Sequence, residues 1–203
     1  MKFFEFGTDH DKLMVMLHGG GVSYLGAVPV AECVAKKFHV VLVAYDGFNP
    51  SEPEKEFTSV MDEEKQIAEY VLKNYGGKID VLYGVSYGCR VLNEALRDER
   101  LIYTKATWNS WRNQDRCLIG HRTDYEAFKN TDMYIWYGIN STVERRLAKN
   151  IKQLQDAGHQ FTLKIFKDVG HGGLAGEQPE RFLKEVIKAH EQSLEKTGKA
   201  TGK

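Results

Sequence analysis

The sequence predicts an α/β protein, with a mostly parallel central sheet and helices on both faces. Three observations lead there. Short, nearly unbroken apolar runs recur along the chain, stretches of helical period separate them, and glycine-rich segments stand where runs end. Strands covered on both faces read as continuous apolar runs, and their alternation with helices gives a parallel sheet.

The elements follow in order. "FFEF" (Phe3–Phe6) reads as an opening strand, expected to be antiparallel, and "KLMVML" (Lys12–Leu17) as the first core strand. Leu13 to Ala31 carries no Asp, Glu, Lys or Arg, about the length of a membrane span. Its "HGGG", Gly26 and Pro29 instead predict a strand, a loop and a helix start. "HVVLVAY" (His39–Tyr45) and "IDVLYGV" (Ile79–Val85) are further buried strands, with a helix from Phe57 to Tyr75 between them that stops at Gly76-Gly77. "CRVLNEAL" (Cys89–Leu96) reads as a helix. "KATW" (Lys105–Trp108) and "MYIWYG" (Met133–Gly138) are weaker strands, and "FTLKIF" (Phe161–Phe166) alternates as a strand near a sheet edge does. Val143, Leu147, Ile151 and Leu154 form one stripe of a helix from Ser141 to Ala157. A last helix starts at Pro179, with Phe182, Leu183, Val186 and Ile187 inward. Residues 1–192 make a single domain, with a short cover at residues 109–130, and the tail 193–203, lacking an apolar stripe, is expected to be disordered.

Acids and bases balance at 28 each, so no net field favours nucleic acid or an anionic membrane as a partner. Cys33, Cys89 and Cys117 are odd in number and in no C-x-x-C pair. That argues against a disulfide framework or thiolate zinc site and suits a cytoplasmic setting. The N-terminus has no secretory signal pattern. No two histidines have metal-site spacing, so no metal is expected.

Three motifs carry chemistry. "GVSYG" (Gly84–Gly88) lies between a buried strand and a helix, where flanking glycines permit a crowded turn that projects the Ser86 hydroxyl. "LHGGG" (Leu17–Gly21) follows the first core strand; successive glycines allow the close backbone approach that oxyanion binding needs. It lacks the Lys-Ser/Thr of a phosphate loop, which weighs against a nucleotide-binding module. "DVGHGG" (Asp168–Gly173) places His171 after the last strand, and His18 reads as part of the glycine loop rather than as a base.

Glycine loop, serine turn and late histidine, with "YDGFNPSEP" after the second core strand, give a chain that resembles the α/β-hydrolase family over residues 3–190. The resemblance implies Ser86 as nucleophile and His171 as base, with Tyr87 and Gly20 or Gly21 forming the oxyanion hole through their backbone N–H groups. It implies no cofactor. The family's acid commonly lies just beyond "MYIWYG", and Ser141 occupies that slot. Glu144 is the nearest carboxylate and the candidate acid, although Ser141-Thr142-Val143-Glu144 also matches a capping box. Asp115 is the second candidate, and Asp124 and Asp168 are weaker ones. Asn140 could hold a histidine but not offset its charge.

A small cover leaves an open site in which Tyr24, Trp108, Trp111 and Tyr87 are candidates to line a pocket for a small-molecule substrate. The expected activity is acyl-enzyme hydrolysis of a small or medium carboxylic ester. The vacated acid slot motivates the alternative, a binding or sensor protein on the same fold with weakened chemistry.

Overall fold

A computed structural model describes residues 1–20, 23–98, 100–110, 132–138, 152, 155–156, 161–170 and 173–201. Within them the strands are β1 (Lys2–Phe6), β2 (Leu13–Leu17), β3 (His39–Ala44), β4 (Lys78–Val85), β5 (Ile102–Ser110), β6 (Asp132–Gly138) and β7 (Phe161–Phe166). The helices are α1 (Val28–Val34), α2 (Val60–Tyr75), α3 (Gly88–Ala95), α4 (Gly173–Glu177) and α5 (Pro179–Thr201), with a 3-10 turn at Tyr24–Ala27.

The strands pair in the order β1-β3-β2-β4-β5-β6-β7. β1 runs antiparallel to β3, and the other pairs are parallel. The opening strand is therefore antiparallel as expected, and "FTLKIF" is the edge strand that its alternation predicted.

β2 shows why the core runs read as unbroken. All five of its residues are buried. Leu13, Val15 and Leu17 join Ile67, Val71, Val91 and Leu92 in the core beneath α2 and α3. Met14 and Met16 point the other way, into the core that includes Val30, Val34, Phe182 and Val186. Strand side chains alternate between faces, so a strand packed on both sides has no position left for a polar residue. Each such side chain contributes roughly 1.5–3 kcal/mol by leaving water.

Local signals set the helix ends. α2 begins at Val60 rather than Phe57 because the Ser59 hydroxyl caps it, accepting from the Asp62 N–H at 3.1 Å. It stops at Gly76, whose φ of 62° is left-handed. β5 is longer than expected, so Asn109 and Ser110 are strand, pairing with Ile135 and Trp136, and not part of the cover. The rest of the expected cover, residues 111–130, and most of the expected helix at Ser141–Ala157 lie outside the described residues. The tail also differs from expectation, since α5 continues to Thr201. Its last turns mix the helix formers Glu195, Lys196, Lys199 and Ala200 with the poor ones Thr197, Gly198 and Thr201. Among the described residues no helix is long and apolar enough to cross a membrane.

Candidate active site

β2, β3 and β4 all end on the same edge of the sheet, and the segments that leave them meet there. Ser86 follows β4 directly, with a φ of 53°, and is the one non-glycine residue with positive φ among the described residues. A left-handed conformation costs an ordinary residue about 1–2 kcal/mol, so the surroundings must hold it. The holding contact is visible in the glycines. A Cβ on Gly84 would lie 2.7 Å from the Gly88 carbonyl oxygen, and one on Gly88 would lie 2.2 Å from that of Leu17. α3 thus starts pressed against the end of β2. Both glycines of "GVSYG" are required by backbone crowding.

The glycine loop reaches the same place. A Cβ on Gly19 would sit 3.4 Å from the Ser86 Cβ, and one on Gly20 would sit 3.1 Å from the Tyr87 Cβ. His18 lies beneath the loop, buried, with Nδ1 2.7 Å from the Gly19 carbonyl oxygen. A carbonyl only accepts, so Nδ1 carries the proton. Burial holds the imidazole below its ordinary pKa and therefore neutral, although the Gly19 bond opposes this in part. The His18 ring thus bonds to the backbone of the glycine segment to which the sequence assigned it.

The structure thus brings Ser86, Gly20 and Tyr87 together. Tyr24 is not with them. Expected to line the pocket, it instead stacks on Phe4 with ring centroids 4.4 Å apart and belongs to the buried core. The 3-10 turn aims its ring inward and leaves the neighbouring Ser23, Gly26 and Ala27 on the cavity. The Tyr87 ring also faces away, packed among Tyr45, Phe48 and Phe57 at centroid distances of 5.5–5.7 Å on the α2 side. Only its backbone remains available to the site. Trp108 lies in β5, in register with Tyr83 and Tyr134. Gly21, Trp111, Glu144 and His171 lie outside the described residues, as do Asp115, Asp124, Asn140 and Ser141. Asp168 is exposed, and Arg181 holds it at 2.5 Å with Gln178 beside it. Glu177 accepts from the Gly170 N–H at 2.8 Å, bracing the chain next to His171 in sequence.

A cavity of about 240 Å³ opens beside Ser86. Met16, Val30, Leu42 and Tyr83 form its buried floor, and Gly20, Gly26, Gly176 and Ser86 lie at its partly or fully exposed rim. Among the described residues no His, Cys, Asp and Glu cluster suited to a metal is present.

One buried acid escaped the sequence reading. Glu63, on α2, is 1% exposed, and its Oε2 has no hydrogen-bond partner among the described residues. Burial first, and then the Asp46 charge, push its pKa up to about 7. The same environment pushes the Tyr87 phenol up to about 12, with Glu63 contributing. A carboxyl whose folded pKa exceeds its unfolded one keeps its proton while the unfolded chain releases it. Stability must therefore fall as pH rises from about 4.5 to about 7, and stay level above that, by up to about 3 kcal/mol. Glu64, also raised to about 7 by burial and by Asp98, acts with the same sign. Glu63→Gln isolates the first contribution. Urea titrations at pH 5 and pH 8 should show the mutant losing about 2–3 kcal/mol less than wild type across that interval.

No family model matches the chain, and no curated protein matches it in sequence. Solved structures do match in shape. An alpha/beta hydrolase family protein from Desulfitobacterium hafniense is similar with a TM-score of 0.70 at 12% identity, covering 92% of this chain and 99% of that one. A thermophilic esterase from Thermogutta terrifontis gives 0.64 at 15% identity over 95% and 93%. The 1H-3-hydroxy-4-oxoquinoline 2,4-dioxygenase gives 0.68 at 12% identity over 92% and 94%. At these identities the likeness establishes a common fold, one that carries more than one chemistry.

Proposed function

We propose that this chain, which has the α/β-hydrolase fold, is a serine hydrolase acting on a carboxylic ester through an acyl-enzyme. The observation that carries the reading is Ser86 itself. A non-glycine residue held left-handed between β4 and α3, at the rim of an apolar cavity, incurs a cost that plain packing does not require.

In the proposed reaction His171 takes the Ser86 hydroxyl proton as Oγ attacks the ester carbonyl. The N–H groups of Tyr87 and of Gly20 or Gly21 bind the oxyanion, each such donor contributing about 3–4 kcal/mol in the transition state. His171 then gives its proton to the departing alkoxide, takes one from water, and the hydroxide formed releases the carboxylic acid and returns Ser86. Glu144 is the proposed orienting acid for His171. Ala175 and Gly176, four and five residues beyond His171, line the same cavity as Ser86, which supports His171 as the base. The substrate is a small molecule and no cofactor takes part. A cytoplasmic setting fits the buried thiols of Cys33 and Cys89.

The test is steady-state turnover of p-nitrophenyl esters. The proposal expects saturable hydrolysis over many turnovers per protein. Absence of turnover, or release of p-nitrophenol limited to one equivalent, overturns it in favour of a binding protein on this fold.

A further inference from the structure

We propose that the cavity beside Ser86 is an acyl-chain pocket, and that it selects esters of uncharged aliphatic acids of about six to eight carbons. This rests on Ser86 being the nucleophile. The cavity measures about 240 Å³. An engineered apolar cavity of about 150 Å³ holds benzene, so this one accommodates about nine or ten carbon-sized atoms when full. A chain of six to eight carbons fills it with its carbonyl still at Ser86.

Charge decides what kind of chain. Among the described lining residues none is Asp, Glu, Lys or Arg, and His18 is held neutral by burial. A charged acyl group would lose its hydration there with nothing to pair it. Met16, Leu42 and Val30 belong to the hydrophobic core, so the wall they form offers apolar contact.

The same buried apolar wall assigns the acyl side of the ester to the cavity. The alcohol must leave after the first step, and the rim is where the site is open. The acyl group stays bonded to Ser86 Oγ until water releases it, so it is the part that gains from lasting contact with that wall. Burying each methylene corresponds to roughly a fourfold gain in kcat/KM while the chain still fits.

Two small lining residues set the length. Ala27 ends the 3-10 turn and Gly176 lies in α4; both line the cavity. A Cβ on Gly176 meets nothing within 4 Å among the described residues, so the first carbon of a larger side chain fits there. The experiment compares p-nitrophenyl acetate, butyrate, hexanoate, octanoate and decanoate on wild type, Ala27→Leu and Gly176→Leu. In parallel, calorimetry measures binding of octanoate and acetate ions to the same proteins.

The expected wild-type kcat/KM rises at least about tenfold from acetate to hexanoate and stops rising beyond octanoate. At least one of the two variants should bring the hexanoate-to-acetate ratio close to one. Octanoate should bind wild type and be weakened in that variant. Ester turnover with a flat chain-length profile, or with a profile that neither variant changes, overturns the pocket and leaves the Ser86 reading intact. Octanoate binding that a variant abolishes, without any ester turnover, keeps an aliphatic pocket but overturns its role as an acyl site together with the Ser86 reading.

Discussion

Ser86→Ala is expected to lower kcat for p-nitrophenyl butyrate by about 10⁴- to 10⁶-fold, with circular dichroism and thermal midpoint close to wild type. The expected loss is large because the proposed covalent route has no substitute at this site. Under the same proposal the remaining groups still bind ester and oxyanion, which would give a small residual rate. Ser86→Gly sharpens the interpretation. Glycine adopts a φ of 53° without the cost that serine bears, while its unfolded chain has more entropy to lose. These effects nearly offset each other, so the glycine variant should be inactive yet at least about as stable as wild type. A serine kept at a position where glycine serves the backbone equally well points to the hydroxyl as the reason.

The largest expected effect on stability comes from a single methyl group. Gly88→Ala places a Cβ 2.2 Å from the Leu17 carbonyl oxygen and 2.9 Å from that of His18. Neither atom is at the end of a flexible side chain. Relief requires α3 to move away from the end of β2, which opens the core around Leu17, Val91 and Leu92. We expect a loss of about 3 kcal/mol or more, seen as a fall of roughly 6–12 °C in Tm. Gly26→Ala is the matched control. Its Cβ meets nothing within 4 Å, and the change should lie within about 0.5 kcal/mol of wild type.

How much of this the sequence carries depends on whether the cause is local. The three central strands were legible because burial on both faces leaves an unbroken apolar run, as in β2. The crowded turn at Ser86 was legible from its two glycines. The packing of Gly19 and Gly20 against Ser86 and Tyr87 is a contact between segments far apart in sequence, and only the motif order hinted at it. Glu63 sits among charged residues that look solvated, yet it falls in phase with Ile67 and Val71 on the buried face of α2. That phase was the available signal. Tyr24 misled because aromatic character gives no direction, and the 3-10 turn that sends its ring to Phe4 has no strong sequence signature. The helical tail was missed because the stripe criterion overlooks a helix that continues past its apolar stripe.

Electrostatics and strain meet at one place in this molecule. The left-handed serine, the neutral His18 that fixes the Gly19 carbonyl, and the raised acid Glu63 near the Tyr87 ring all lie around the ends of β2, β3 and β4. Each costs stability, and α/β sheets commonly bind ligands at this edge.

The most direct test of the central claim is intact-mass labelling with a fluorophosphonate, followed by peptide mapping. The account predicts one adduct on the wild-type protein, located on Ser86, and none on Ser86→Ala. No adduct on well-folded wild type, or an adduct mapped to another residue, would contradict it.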